Sequence, residues 1–267
     1  AGDFTCTISG SNAQLKFAAV PDYDNPADAD QNRVYIVTVL IDDGVADDAN
    51  GATTLTITVT DLNDQAPAWT TSATANVAEG ATAVATLAAT DSDTADSGGL
   101  TYSITTNDPS GTVFAVSGTA LTMTAQDYEN PGCGSGSDSL TCVVVLAATD
   151  AASTATAHTI TVTITDTNDQ TPVYQAADAN DAFDIAENTA TSTVIDNGVI
   201  TDTDTGNSFG CTLGGADAGD FTCTISGSNA QLKFAAVPDY ENPADADQNR
   251  VYIVTVLIDD GAADDAN

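Results

Sequence analysis

Aliphatic and aromatic residues alternate with threonine, serine and other polar residues in short runs along nearly the whole chain. LTITV at 55–59 and ITVTI at 160–164 are the cleanest, and QLKFAAV, VYIVTVLI, ATLAAT, LTYSI, VFAV, ALTMTA, CVVVLAAT and HTITVTI are strand-like in the same way. Such alternation puts one face of a strand on a core and the other in water. β-branched residues dominate the runs, and turns rich in Gly, Asn, Asp and Ser separate them. No window of a dozen residues carries a helical stripe. The pattern predicts an all-β chain of antiparallel sandwiches, each built from about seven short strands per hundred residues.

The pattern also repeats. The strips DLNDQAPAW at 61–69 and DTNDQTPVY at 166–174 each follow one of the cleanest strands, 105 residues apart. At longer range, residues 1–50 return at 218–267 with two differences, Glu241 for Asp24 and Ala262 for Val45. The resulting period holds two domains of sandwich size. The boundaries expected are a C-terminal part of a domain at 1–61 (a copy of 218–267 plus a last strand), a complete domain at 68–166, and a domain at 173–267 lacking its last strand. Linkers fall at 62–67 and 167–172. The chain starts with Ala1 rather than a signal sequence and reads as a processed or excised piece of a longer array.

Charge narrows the function. Thirty-nine Asp and Glu against four Lys and Arg give a net charge of −35, which repels nucleic acid and anionic lipid and concentrates cations. No segment approaches the roughly 20 apolar residues of a membrane span. Cys133 and Cys142 flank the loop GSGSDSLT, and Cys211 and Cys223 take inward positions on successive strands, so two local disulfides and an oxidising compartment are expected, with buried free thiols as the alternative. Cys6 is the copy of Cys223.

The carboxylates recur in a fixed order. The complete domain carries Glu79 in VAEG, Asp91 and Asp93 in ATDSD, Asp127 and Glu129 in DYEN, Asp150 in AATDA, then Asp166, Asn168 and Asp169. The next domain carries Glu187 in IAEN, Asp202 and Asp204 in TDTDTGN, Asp239 and Glu241 in DYEN, and Asp259 in LIDDG. Most follow strand ends, so a sandwich gathers them at its poles. Carboxylates about 5 Å apart repel by roughly 3 kcal/mol per pair at an effective dielectric of 20, so such a cluster needs a cation. With few Lys or Arg, and no His or free Cys among the donors, the all-oxygen set selects a hard ion, Ca²⁺ before Mg²⁺.

This order resembles the cadherin repeat: an early Glu (AEG, AEN), a DxD, an acidic pair (DYD, DYE), an A-x-D, and a DxNDNAP linker matched by DLNDQAP and DTNDQTP. The matches span both junctions and essentially the whole chain. The resemblance implies tandem Greek-key sandwiches of immunoglobulin-like topology joined end to end, an extracellular or cell-surface location, and about three Ca²⁺ per junction. At the second junction it assigns Glu79, Asp127, Glu129 and Asp169 to the outermost ion. Glu79, Glu129, Asp166, Asp169, Asp204 and the Thr167 carbonyl would hold the middle one. Asn168, Asp202, Asp204, Asp259 and the carbonyls of Gln170 and Asn207 would hold the third. The first junction repeats this with Asp22, Asp24, Asp61, Asn63, Asp64, Asp91, Asp93 and Asp150, and with carbonyls of Leu62 and Gln65. Glu187, Asp239 and Glu241 are the corresponding set for a following junction. In the doublets Asp42-Asp43 and Asp259-Asp260 the alignment favours the first member, with the second as substitute. Gln65 and Gln170 replace the linker's last Asn, which acts in the family through its backbone carbonyl. Tyr23, Tyr128 and Tyr240 replace a common Arg, and Asp24 shortens the usual Glu and should weaken its junction.

Several features read as structural. Trp69 and His158 are expected to pack rather than to exchange or ligate. The loop NPADADQN at 25–32 and 242–249 reads first as a solvated acidic loop, with an extra cation as the alternative. TDTDTGN lacks the ligand spacing of an EF-hand. A glycosidase pair would need a raised pKa beside a sugar-sized groove, whereas these carboxylates recur at each junction. The reading is therefore a non-enzymatic, microbial filament or adhesin type of protein, a calcium-stiffened stalk contacting further copies of itself. The alternative is a calcium-dependent adhesin for a partner cell, protein or glycan.

Overall fold

The computed structural model describes residues 2–42, 44–45, 52–93, 99–108, 113–133, 140–152, 154–178 and 182–262. Regular structure among them is all strand except for one 3₁₀ turn at Ala218–Asp220, and no helix is long and apolar enough to cross a membrane.

The first segment forms a hairpin, β1 (Phe4–Ser9) with β2 (Asn12–Phe17), and a second antiparallel pair, β3 (Val34–Val39) with β4 (Thr53–Thr58). Rings from both pairs close on each other, Phe4 on Phe17 at 4.6 Å and Phe17 edge-on to Tyr35 at 5.4 Å.

The central segment is a two-layer sandwich. Its strands are β5 (Ala68–Trp69), β6 (Thr74–Ala78), β7 (Ala83–Thr86), β8 (Ala89–Thr90), β9 (Thr101–Thr106), β10 (Phe114–Ser117), β11 (Ala120–Met123), β12 (Thr141–Thr149) and β13 (Ala155–Thr165). One sheet runs β6-β13-β12-β9 and the facing one β10-β11-β7, with β5-β8 as a short pair. The chain changes sheet between β6 and β7, between β9 and β10 and between β11 and β12, the crossings that make a Greek key. All pairings are antiparallel except β6 with β13, where Thr74 lies beside Thr161 and Ala78 beside Thr165. The run ATLAAT is two strands rather than one. Between β7 and β8 the chain leaves the β11 ladder for the β5 ladder, and Leu87, at the break, drops into the core.

Alternation explains that core. On β13, Ile160, Val162 and Ile164 are buried while Thr159, Thr163 and Thr165 are exposed, and Val144 and Leu146 of β12 face the same layer as Phe114, Leu121 and Met123. Trp69 packs against this cluster, donates its indole N–H to the Thr156 carbonyl at 2.8 Å and stacks on His158 at 4.9 Å.

The third segment comprises β14 (Val173–Gln175), β15 (Asp196–Thr201), β16 (Gly210–Gly214), β17 (Phe221–Ser226), β18 (Asn229–Phe234) and β19 (Thr255–Asp259), in sheets β14-β15-β18-β17 and β16-β19. The hairpin β17-β18 repeats β1-β2 residue for residue, and Phe221, Phe234 and Tyr252 repeat the ring cluster. VYIVTVLI behaves differently in its two copies. At 34–39 it pairs with β4, whereas at 251–258 only the part from Thr255 is strand, laddered to β16. A strand is defined by its pairing partner, and the partners differ.

Two disulfides staple these layers: Cys133–Cys142, with Cα atoms 5.4 Å apart, and Cys211–Cys223, joining β16 of one sheet to β17 of the other at 6.0 Å. Cys6 is a free, exposed thiol.

Candidate metal centres

Each acidic motif is a turn in which an aspartate carboxylate holds the backbone. Asp127 Oδ1 accepts the N–H groups of Glu129 and Asn130, both at 3.0 Å, and Asp22 and Asp239 do the same in their copies. Asp91 Oδ1 accepts Asp93 N–H at 3.1 Å, and Asp202 Oδ1 accepts Asp204 N–H at 2.9 Å. The early glutamates precede a residue in the left-handed region, Gly80 at φ 72° and Asn188 at φ 61°. Glycine takes that conformation freely and Asn at modest strain, which accounts for AEG and AEN. Glu79 then spans the motifs, accepting Tyr128 N–H and Thr167 N–H, each at 2.7 Å.

These turns bring the carboxylates together. Ligand oxygens of Glu79, Asp127 and Glu129 lie within 4.8 Å of one another, as do those of Glu129, Asp166 and Asp204, and those of Asp202, Asp204 and Asp260. At the first junction Asp24, Asp61 and Asp93 form the matching group, and Glu187, Asp239 and Glu241 form an exposed one at the far pole of the third segment. The group built on Asp166 takes Glu129 and Asp166, the last residue before the linker, from one sandwich and Asp204 from the next. Linker backbone locks to the following sandwich, since Asp204 Oδ2 accepts Asp169 N–H at 2.8 Å and Gln170 N–H at 2.7 Å, and Asp93 Oδ2 accepts Gln65 N–H at 2.9 Å. Thr205 returns the tie by donating its N–H and hydroxyl to Asp166 Oδ2.

The oxygens left over are the informative ones. Asp166 Oδ1, Asp202 Oδ2, Asp204 Oδ1, Asn168 Oδ1 and Asn207 Oδ1 are sealed from solvent without a hydrogen-bond partner, as are both Glu129 oxygens. Asp91 Oδ2, Asp93 Oδ1 and Asp150 Oδ2 match them at the first junction. Buried acceptors facing no donor are rare, and here they are concentrated among like charges. A hard cation taking six to eight oxygens fits this donor set. Burial, and then the carboxylates of Glu79, Asp204 and Asp166, push Glu129 up to about 7. Burial, followed by Asp93, Asp61, Asp64 and Asp22, also raises Asp24 above its ordinary value. Without a cation, Glu129 and Asp24 hold their protons more tightly than free carboxyls do.

The structure differs from the sequence assignment at particular residues. Asp260, 2% exposed, joins Asp202 and Asp204, whereas Asp259 is exposed and turns its Oδ1 to Gly261 N–H at 2.6 Å. Strand parity in the doublet decides this, because Asp259 ends β19 pointing outward. Asp42 makes the same outward turn on Gly44 N–H, and Asp43 lies outside the described residues. Asn207 presents its side-chain oxygen to the cluster and donates its amide to the Asp204 carbonyl at 2.9 Å, an arrangement not read from TDTDTGN. Gln65 and Gln170 reach back to Asp64 and Asp169, donating at 2.8 Å to one oxygen of each, so the change from Asn has a side-chain role. Asp64 and Asp169 are exposed and lie in none of the three-carboxylate groups, and Leu62 and Thr167 are exposed linker residues. Asp24 reaches its group despite being shorter than Glu. Thr205, in the loop between β15 and β16, was given no role by the sequence.

No family model matches the sequence, and no curated protein sequence matches it. Solved structures do. The chain is similar to the extracellular domain of protocadherin gammaB4 (TM-score 0.56, 20% identity, 90% of this chain and 37% of that one). It is also similar to cadherin domains 1–4 of protocadherin gamma B7 (0.59, 18%, 96% and 60%) and to the human desmocollin-1 ectodomain (0.61, 19%, 89% and 45%). The chain thus spans 37 to 60% of those proteins. The fold is therefore that of cadherin-like β-sandwiches in tandem.

Proposed function

We propose that the chain is a segment of an extracellular tandem-repeat protein, a stalk or filament stiffened by Ca²⁺ at its interdomain junctions, with the C-terminal part of one sandwich at 1–61, a complete one at 68–166 and one lacking its last strand at 173–267. The observation that carries this reading is the group formed by Glu129, Asp166 and Asp204, which draws carboxylates from both sides of a junction, one of them, Asp166, immediately before the linker. A cation there bonds two domains and their connector at once, so its binding energy restrains the interdomain angle. An ion at a hundred times its Kd stabilises the state that binds it by about 2.7 kcal/mol. The ligands assigned above hold about three ions per junction, with Asp260 in place of Asp259. The all-oxygen donor set selects structural cation binding over acid–base catalysis. Repeated copies suit a spacer, because modules that touch only their neighbours extend reach.

Limited proteolysis of the intact chain, with Ca²⁺ and with a chelator, tests the reading. Protection of 61–67 and 166–172 in Ca²⁺ and cleavage there in chelator are expected, and cleavage indifferent to the chelator would contradict it. Calcium-dependent aggregation of beads coated with the chain would move the reading to an adhesin.

A further inference from the structure

The split seen in the junction aspartates, one oxygen on the backbone and one sealed without a donor, recurs at two places away from the junction clusters. Asp28 and Asp245 occupy copies of the loop NPADADQN, and they are 7% and 2% exposed. Asp28 Oδ2 accepts Asn32 N–H at 2.7 Å and Arg33 N–H at 3.1 Å. Asp245 Oδ2 accepts Asn249 N–H and Arg250 N–H at the same two distances. In both, Oδ1 is buried and has no hydrogen-bond partner. With two backbone N–H groups on one oxygen and no donor on the other, the buried oxygen calls for a cation.

We propose that each loop is a further Ca²⁺ site, held by Asp28 and Asp30 in one copy and by Asp245 and Asp247 in the other, and braced by Asn32 and Asn249, each of which donates its amide to Asp30 or Asp247 and accepts the Val34 or Val251 N–H, all at 2.7 Å. These side chains stand at the first, third and fifth positions of a loop whose sixth residue, Arg33 or Arg250, takes a left-handed φ of 66° or 73°. Oxygen ligands at those positions, with a sharp turn at the sixth, are how a short loop wraps a calcium ion. The twelfth position, where a bidentate Glu would close the shell, holds Val39 or Val256. Water completes the coordination, and affinity falls to the weak extracellular class, about 10⁻⁴ to 10⁻³ M.

The central sandwich supplies the comparison. In Asn-Pro-Gly-Cys at 130–133 the cysteine stands where Asn-Pro-Ala-Asp places Asp28 and Asp245, and it is 2% exposed and bonded to Cys142. One domain type closes this loop covalently, and the other closes it with an ion. The ion also reaches the junction motif. Arg33 Nε donates to the Tyr23 carbonyl at 2.8 Å with its guanidinium 4.3 Å from the Tyr23 ring centre, and Arg250 clamps Tyr240 in the same way at 2.9 and 4.4 Å. Tyr23 and Tyr240 lie between the paired acidic residues of DYD and DYE. This last consequence rests on the junction reading, whereas the loop site does not.

Calcium bound per intact chain, measured by equilibrium dialysis at about 5 mM free Ca²⁺, above the weak-site range, tests the proposal. Asp30→Ala/Asp247→Ala alters exposed side chains only and should bind two fewer ions per chain than the parent, one for each loop. Asp28→Asn/Asp245→Asn should show the same deficit. An unchanged count in the folded Asp30→Ala/Asp247→Ala chain overturns the proposal and leaves water on the buried oxygens, whatever becomes of the buried pair. Calcium-dependent protection of 166–172 should persist in both variants. Its absence from the parent chain would remove the junction reading and leave this site standing.

Discussion

Asp204 is the residue on which the second junction turns. One of its oxygens accepts two linker N–H groups, and the other is buried beside Glu129, Asp166, Asp202 and Asp260. Asp204→Ala removes both functions, so calcium affinity at that junction should fall at least about tenfold, or ~1.4 kcal/mol. The junction at 61–65 should be unaffected, and calorimetric titration resolves the two. Glu129 sets a pH dependence. Its pKa in the folded, metal-free chain is raised from 4.5 to about 7, so the folded state holds the extra proton. In chelator, stability should therefore fall as pH rises from about 4.5 to about 7, because the native state binds more protons than the unfolded one across that window. In calcium the proton competes, so apparent affinity should drop as pH falls below about 7 with proton release on binding, and titration in buffers of different ionisation enthalpy reads this directly.

At the scale of elements, the strands were legible where alternation was clean. ITVTI became the buried-exposed ladder of β13, and the first four residues of LTITV fall in β4. What sequence could not show was pairing. The parallel β6-β13 ladder, the break in ATLAAT at Leu87 and the two partners of VYIVTVLI depend on which backbone lies alongside, which no local pattern encodes. The candidate site divides in the same way. Motif order located nearly every carboxylate that the fold gathers, but strand parity at Asp259-Asp260 and the side-chain roles of Asn207 and Thr205 needed coordinates. Stability at this scale is testable through β12, where Leu146 is fully buried. Leu146→Ala should cost about 2–5 kcal/mol in chemical denaturation, for the lost transfer energy and the cavity left behind. Reducing Cys133–Cys142 and Cys211–Cys223, which close loops of 9 and 12 residues, should cost roughly 3 kcal/mol each by unfolded-state entropy.

For the whole molecule, the governing quantity is a net charge of −35 carried with only four basic residues. Metal-free, the sandwiches repel one another most strongly where their carboxylates cluster. Calcium at the proposed sites would reverse the sign of the interaction locally while leaving the molecule anionic. The stiffening should therefore persist at physiological salt, where coordinated ions stay in place, whereas the repulsion in chelator should be screened within a Debye length of about 8 Å. The most direct test is the distribution of angles between the sandwiches proposed at 68–166 and 173–267, measured on single particles in millimolar Ca²⁺ and again in chelator. A narrow distribution that broadens severalfold on chelation is the expected result. Equal widths in the two conditions would contradict the claim that ions at the junction set the angle.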